Sequence, residues 1–399
     1  MFEKNIVCSD CGYIYKLNEK VFRCKKCGGS LEIIFDYRKL KKEVSIEKFR
    51  SRPFNHARYE ELYPVKNMIS LQEGGTPLLR SKNIERELKL NFELYFKYEA
   101  LNPTGSFKDR GSSIEVAKAL EFGTRNVICA STGNMGASVS AYSAVANLNC
   151  AIFIPQDALP IKLKQILAYG AKILKIKGDY THAEKMVEYA FKRYGFYLLG
   201  DYQYRREGTK SVGFEIMDQL DFNTENTYII SPVGNGILIS SIWKAINEFK
   251  TFGFIKEKPK LVCVQASGCK PVVNAFKTKG KVKQVENPHT IASAIECGKP
   301  LDGDRALKAV KESKGFAYAV SDKEIMKTRE MLARMEGIFT EQAGAVALAG
   351  LLKFKDRIEE NSKVVCLVTG HGLKEPTTEV RGNVKEIKAD KSILKRIFR

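Results

Sequence analysis

The chain has 399 residues, enough for two or three domains, and its 44% hydrophobic and 28% charged content is that of an ordinary globular protein. A net charge of +20, from 66 basic and 46 acidic side chains, is spread along the whole sequence with no dense basic stripe or interleaved aromatics. That pattern argues against nucleic acid as the partner and favours a small anionic molecule. No apolar run approaches the roughly eighteen residues of a membrane span, and the start "MFEKNIVCSDCG" lacks the apolar core of a signal peptide, so a cytoplasmic protein is expected.

Four of the ten cysteines fall in the first 27 residues, as Cys8-x-x-Cys11 and Cys24-x-x-Cys27, with twelve residues between the pairs. Residues 1 to 35 read as two short hairpins, each with one pair on a glycine-containing turn. This is zinc-ribbon spacing, in which four thiolates close a tetrahedral structural zinc site. Such a site is closed, and is expected to stand apart from the rest of the chain. The remaining cysteines sit mostly in apolar, strand-like runs and read as buried thiols.

From 36 to about 70 the sequence is polar and irregular, a connector over a larger body. Strands and helices then alternate. "LYFKYE" is a strand and 106 to 123 a helix ending at Gly123; "NVICAS" is a strand, "MGASVSAYSAVANL" a helix, "CAIFIP" a strand. A helix "IKLKQILAYG", a strand "AKILKIKG" and a helix "THAEKMVEYAFKRYG" follow. Beyond residue 205 the strands "TYIISP", "KLVCVQA" and "KVVCLVTG" alternate with helices after "VGNG" and at "EQAGAVALAGLLKFK". Strands apolar throughout and separated by helices predict an α/β protein with two open parallel sheets, ligands lying at the carboxyl ends of the strands.

Three glycine-containing loops stand at those ends: "ASTGNMGAS", "SPVGNGILIS" and "LVTGHGLKEP". The first suits a carboxylate or phosphate at a helix N-terminus. In the second, Ile239 occupies the place of a dinucleotide fingerprint's third glycine, so a tight turn and a phosphate cradle are equally open readings. The third offers the Thr369 hydroxyl. With Lys108 opening a helix in "NPTGSFKDRG", these are the parts needed to hold pyridoxal phosphate, whose aldehyde joins a lysine and then acts as electron sink.

The set "SLQEGGTPLL", "NPTGSFKDRG", "ASTGNMGAS", "LAYGAKILKIKG", "YRREGTKSVGFEI", "SPVGNG", "GIFTEQAGAVALAG" and "VTGHGLKEP" resembles the fold-type-II pyridoxal phosphate enzymes, and within them the threonine synthase family most closely. The resemblance runs from about Ser70 to Pro376. It implies a small zinc ribbon over 1–40, a large cofactor-binding domain from 41–105 and 205–399, and a small α/β domain over 106–204. By the same resemblance Lys108 is the Schiff-base lysine and proton shuttle, and Asn134 meets the cofactor's phenolic oxygen. Gly234, Asn235, Gly236, Ile237 and Leu238 bind its phosphate, and Thr369 faces its ring nitrogen. Ser131 and Thr132 take the substrate carboxylate, while Arg205 grips a substrate phosphate with its guanidinium fork. The implied reaction turns O-phospho-L-homoserine and water into L-threonine and phosphate, in a homodimer. Met135 and "GDYQ" depart from the family's usual residues, which leaves a serine or threonine dehydratase and a cysteate-forming synthase acting on phosphoserine as alternatives.

Overall fold

The computed structural model describes residues 2–131, 133–156, 160–177 and 180–375, with backbone only at 160–162, 180, 181 and 184. Three sheets are present among these residues.

The first is formed by β1 (Glu3–Cys8), β2 (Ile14–Tyr15) and β3 (Leu31–Phe35), in the order β2-β1-β3 and antiparallel throughout. The second cysteine pair therefore does not sit on a hairpin of its own, as the sequence suggested. It lies on the turn that leads into β3, which returns to pair with β1. The connector is also more regular than expected, with helices α1 (Tyr37–Glu43) and α2 (Ile46–Arg50) capped by Asp36 and Ser45. Leu40 and Phe49 anchor these short helices in the core.

The chain then runs through β4 (Leu78–Arg80), α3 (Lys82–Glu87), β5 (Glu93–Tyr98) and α4 (Lys108–Glu121). The second sheet, with β6 (Asn126–Ala130), β7 (Asn149–Pro155), β8 (Lys172–Ile176) and β9 (Tyr197–Leu198), has the order β8-β7-β6-β9 and is parallel. Its helices are α5 (Asn134–Val145), α6 (Pro160–Ala168) and α7 (Tyr180–Tyr194). After α8 (Gln203–Thr209) and α9 (Ser211–Gln219) the third sheet is completed by β10 (Thr227–Pro232), β11 (Lys260–Ala266), β12 (Phe316–Val320) and β13 (Lys363–Val368). Between these run α10 (Ile237–Phe252), α11 (Pro271–Lys277), α12 (Gly303–Glu312), α13 (Asp322–Glu336) and α14 (Gln342–Phe354). The order is β12-β11-β10-β13-β5-β4, parallel except for the short antiparallel edge β4. Every residue of β10 is buried, as befits a strand covered by helices on both faces.

Helices α4 and α8 cross closely enough that glycine is required on both. A Cβ on Gly208 would lie 2.1 Å from the Arg110 carbonyl oxygen, and one on Gly111 would lie 2.5 Å from Arg205 Cγ. Beside this crossing the fully buried Arg110 guanidinium meets Glu99 at 2.7 Å and Glu215 at 2.6 Å, while Lys97 reaches Glu215 at 2.7 Å. These pairs tie β5, α4 and α9 together.

The cysteine-rich sheet is seated firmly on this body, contrary to its expected separateness. Arg206 donates to the Leu31 carbonyl at 2.8 Å, and Lys244 donates to that of Ile33 at 2.8 Å. Arg305 bonds Ser9 Oγ and meets Glu32 at 2.9 Å. Burial raises the Glu32 carboxyl, but Lys244, Arg305 and Arg206 outweigh it and hold the group down at about 2.

In the unfolded chain Glu32 regains its ordinary range, so between about pH 4.5 and 2 the unfolded state binds more protons and stability falls with acid. The urea midpoint of the native protein should exceed that of Glu32→Gln at pH 5, and the gap should close toward pH 2. A gap independent of pH in that window would mean that these cations do not hold the carboxylate.

Candidate active site

The strand ends of the second and third sheets open on a common cleft of about 2170 Å³. Lys108 begins α4 there. The preceding turn is fixed by Asp109, whose two carboxylate oxygens accept from Thr104 N–H at 2.7 Å and Thr104 Oγ at 2.6 Å. It is stitched to the end of β13 by the Phe107 N–H, which donates to the Thr369 carbonyl at 3.2 Å. The lysine is thus held at its root and faces the cleft with its side chain 17% exposed.

Lys108 Nζ lies 3.6 Å from Asp201 Oδ1, a carboxylate in the turn after β9. The other oxygen, Oδ2, accepts from Asn235 Nδ2 at 2.7 Å, and Oδ1, which also faces Arg205 Nε at 3.9 Å, has no hydrogen-bond partner among the described residues. Asp201 therefore bridges the lysine to the loop Gly234–Leu238. That loop runs into the N-terminus of α10, with Gly236 at φ 95°, which a side chain rarely tolerates. A Cβ at Gly234 or Gly236 would stand 2.8 Å from Ile295 Cα or 2.7 Å from the Asp302 carbonyl oxygen. Ile237 and Leu238 supply first-turn amides that an α-helix leaves without an internal partner.

Ser131 also lines the cleft, and its hydroxyl accepts from the Gly133 and Gly136 N–H groups at 3.3 and 3.0 Å. Its own proton remains as what it can offer a carboxylate. Thr132 lies outside the described residues. Thr369 lines the cleft at the tip of β13. Asn134 lines it too, but its amide donates to both oxygens of Glu341, at 2.9 and 3.0 Å.

Arg205 differs most from its expected place. It is fully buried, is not part of the cleft lining, and meets Glu115 at 2.6 Å. It also donates to the Lys108 carbonyl at 3.2 Å and to Ser112 Oγ at 3.1 Å. The resemblance expected this guanidinium to meet a substrate phosphate; in the fold it meets a carboxylate of α4. Burial pushes the Glu115 carboxyl up to about 7, against the pull of Arg205 and the Gly200 N–H.

Asp201 and Glu341 escaped the sequence reading although both stand inside quoted motifs. Lys374 did as well: it lines the cleft and donates to the Thr104 carbonyl and to Gln165 Oε1, each at 2.6 Å. Their signal was weak, since β9 before Asp201 is two residues long and a carboxylate at a helix start ordinarily reads as a cap.

A lysine rooted at a helix start and facing a glycine cradle at the head of a second helix fits pyridoxal phosphate, with a nucleophilic amine for the aldehyde and open amides for the phosphate. Residues 69–370 match the family model of pyridoxal-phosphate dependent enzymes. The threonine synthase of Methanocaldococcus jannaschii is 44% identical, with 98% of either chain covered, and that of Methanosarcina acetivorans is 40% identical over 94% of this chain and 93% of its own. The chain belongs to the pyridoxal-phosphate dependent enzymes, and within them to the threonine synthases. The processed form of threonine deaminase isoform 2 from Solanum lycopersicum shares the fold at a TM-score of 0.65 and 19% identity, covering 89% of this chain and 93% of its own. Maize serine racemase does so at 0.64 and 20%, covering 81% and 92%.

The seating of Arg205 has a measurable consequence. Arg205→Met removes the cation that helps keep the buried Glu115 ionised, so urea unfolding well above pH 7 should show a loss of about 3–5 kcal/mol that shrinks toward pH 6, where the carboxyl takes up a proton. The double variant Arg205→Met/Glu115→Gln should recover much of that loss, because glutamine still accepts from Gly200 N–H. If the double variant is no more stable than the single one, the two side chains do not depend on each other.

Proposed function

We propose that the cleft converts O-phospho-L-homoserine and water to L-threonine and phosphate, with Lys108 as the residue that carries the cofactor and moves the protons. The observation that supports this best is the juxtaposition of Lys108 Nζ, Asp201 and the Gly234–Leu238 loop. The cofactor supplies an electron sink for carbanion chemistry next to the amino-bearing carbon. Lys108 Nζ takes the proton from Cα and serves the proton transfers that let phosphate leave Cγ and water oxygen add at Cβ. With the cofactor bound, the loop amides from Gly234 to Leu238 would hold its phosphate, Thr369 would serve its ring nitrogen, and Asn134, now on Glu341, would serve its phenolic oxygen. Ser131 and Thr132 orient the substrate carboxylate. Arg205 fixes the backbone of Lys108, and the substrate's phosphate is met by cleft-facing cations, among them Arg23 and Lys164. A homodimer in the cytoplasm is part of the same reading.

The cysteine-rich sheet holds zinc in this proposal. The four sulfurs of Cys8, Cys11, Cys24 and Cys27 lie within 4.8 Å of one another, with Cys8–Cys27 at 3.5 Å and Cys11–Cys24 at 3.6 Å. Four ligands about 2.3 Å from one ion stand roughly 3.8 Å apart in a tetrahedron, so little movement is needed. Tyr15 Oη donates to Cys24 Sγ at 3.3 Å and orients that ligand.

Three experiments test these readings. The purified protein should be yellow, borohydride should fix the cofactor on Lys108, and Lys108→Ala should be colourless and inactive. Phosphate release should be faster from phosphohomoserine than from phosphoserine, and threonine deamination slower than either. Cofactor fixed on another lysine, or deamination as the fastest reaction, overturns the assignment. For the metal, native protein should carry one zinc per chain and Cys8→Ser/Cys24→Ser almost none; equal zinc in both excludes the site.

A further inference from the structure

The cysteine-rich sheet and the proposed phosphate loop converge on one side chain. Asp302 is fully buried at the head of α12, where Arg206 grips its carboxylate with three contacts of 2.7, 2.7 and 3.0 Å. Ser30, three residues beyond Cys27, donates its hydroxyl to Asp302 Oδ1 at 2.9 Å. Ser240, in the first turn of α10, donates to Oδ2 at 3.1 Å. The main chain of the same residue holds the loop itself. Asp302 N–H donates to the Asn235 carbonyl at 3.0 Å, and its carbonyl oxygen fills the space where a side chain at Gly236 would stand. The neighbouring Leu301 N–H bonds Asn235 Oδ1.

Loop, helix start and cysteine-rich sheet are therefore set by one residue, whose carboxylate has three polar partners and whose main chain holds the loop. Burial alone would raise the Asp302 carboxyl, but Arg206 and Arg305 hold it below the ordinary carboxylate range, so it is an anion at neutral pH. A buried anion with a bidentate guanidinium has little freedom to re-orient. Tilting the cysteine-rich sheet would displace Ser30 and Leu31, the two partners it offers to Asp302 and Arg206.

We infer that Asp302 is a positioning residue for the loop Gly234–Leu238, and that the cysteine-rich sheet tunes the loop's fit to the cofactor phosphate through Ser30. The inference rests on the reading of that loop as the phosphate cradle. Its effect should fall on the phosphate alone, since neither Ser30 nor Asp302 touches Lys108.

Titration of the apoprotein with pyridoxal phosphate and with pyridoxal, followed by the colour formed on Lys108, isolates this effect. Ser30→Ala should weaken pyridoxal phosphate by about 3- to 10-fold, less than the full value of one bond to a charged group because only part of its loss reaches the loop, and leave pyridoxal unchanged. Asp302→Asn should change the ratio of the two affinities further in the same direction. Gly236→Ala, which forces the loop away from Asp302, serves as the control. If Gly236→Ala changes the ratio and Ser30→Ala does not, or if Ser30→Ala weakens both compounds alike, the inference is overturned while the cradle stands. If Gly236→Ala leaves the ratio unchanged, the cradle reading itself fails. Should Asp302→Asn not fold, Ser30→Ala decides alone.

Discussion

The structure depends on keeping charge out of water at the crossing of α4 with its neighbours. Arg110 lies two residues beyond Lys108 and is wholly buried, and its guanidinium is divided between Glu99 at the end of β5 and Glu215 on α9. Lys97 completes the group as a second cation against the second carboxylate. Ions taken out of water survive only when each donor and acceptor is met, so β5, α4 and the sequence-distant α9 are held to one geometry. The nearby His56 is pushed down to about 4 by burial and adds no charge, and its Nδ1 lies 2.9 Å from Ser211 Oγ. Lys108 inherits this rigidity: its helix cannot turn or slide without separating Arg110 from both carboxylates.

The same network explains which parts of the molecule could be read from sequence. Central strands such as "TYIISP" and "KVVCLV" are apolar on both faces and announce a covered parallel sheet. The motif around Lys108 announces itself by its turn residues. Helices α8 and α9 do not, because Arg205, Arg206, Glu207, Lys210 and Glu215 are all buried in them as ion pairs. Hydrophobic periodicity carries no signal where the buried face is charged. Strands β4 and β9, three and two residues long, are too short to show a pattern at all.

Arg205 shows the corresponding limit at the site. The resemblance placed it on a substrate phosphate, whereas in the fold it is buried against Glu115. Glu115 is 90 residues away and on another helix, and the pairing becomes visible only when α4 and α8 are brought together by Gly111 and Gly208. The cysteine pairs pose the same difficulty in reverse. Their spacing marks the four cysteines as a group, but the residues that seat the sheet, from Ser30 to Ile33, have partners that lie 175 positions away or more.

Those partners turn an apparent appendage into part of the active-site frame. Ser30 meets Asp302, Asp302 holds Asn235, Asn235 meets Asp201, and Asp201 lies beside Lys108. Each link is a short polar side chain or a backbone group at 2.7 to 3.6 Å, and the two aspartates at its centre are buried. Such a chain conveys position more than charge, because Arg206 already neutralises Asp302 and Lys108 faces Asp201. This chain of contacts sets the loop around Asn235, while Lys108 is rooted separately by the Asp109–Thr104 turn and the Phe107–Thr369 bond. The N-terminal sheet belongs to the frame of the cleft for that reason, and the segment that carries Arg23 and Cys24 lines the cleft itself.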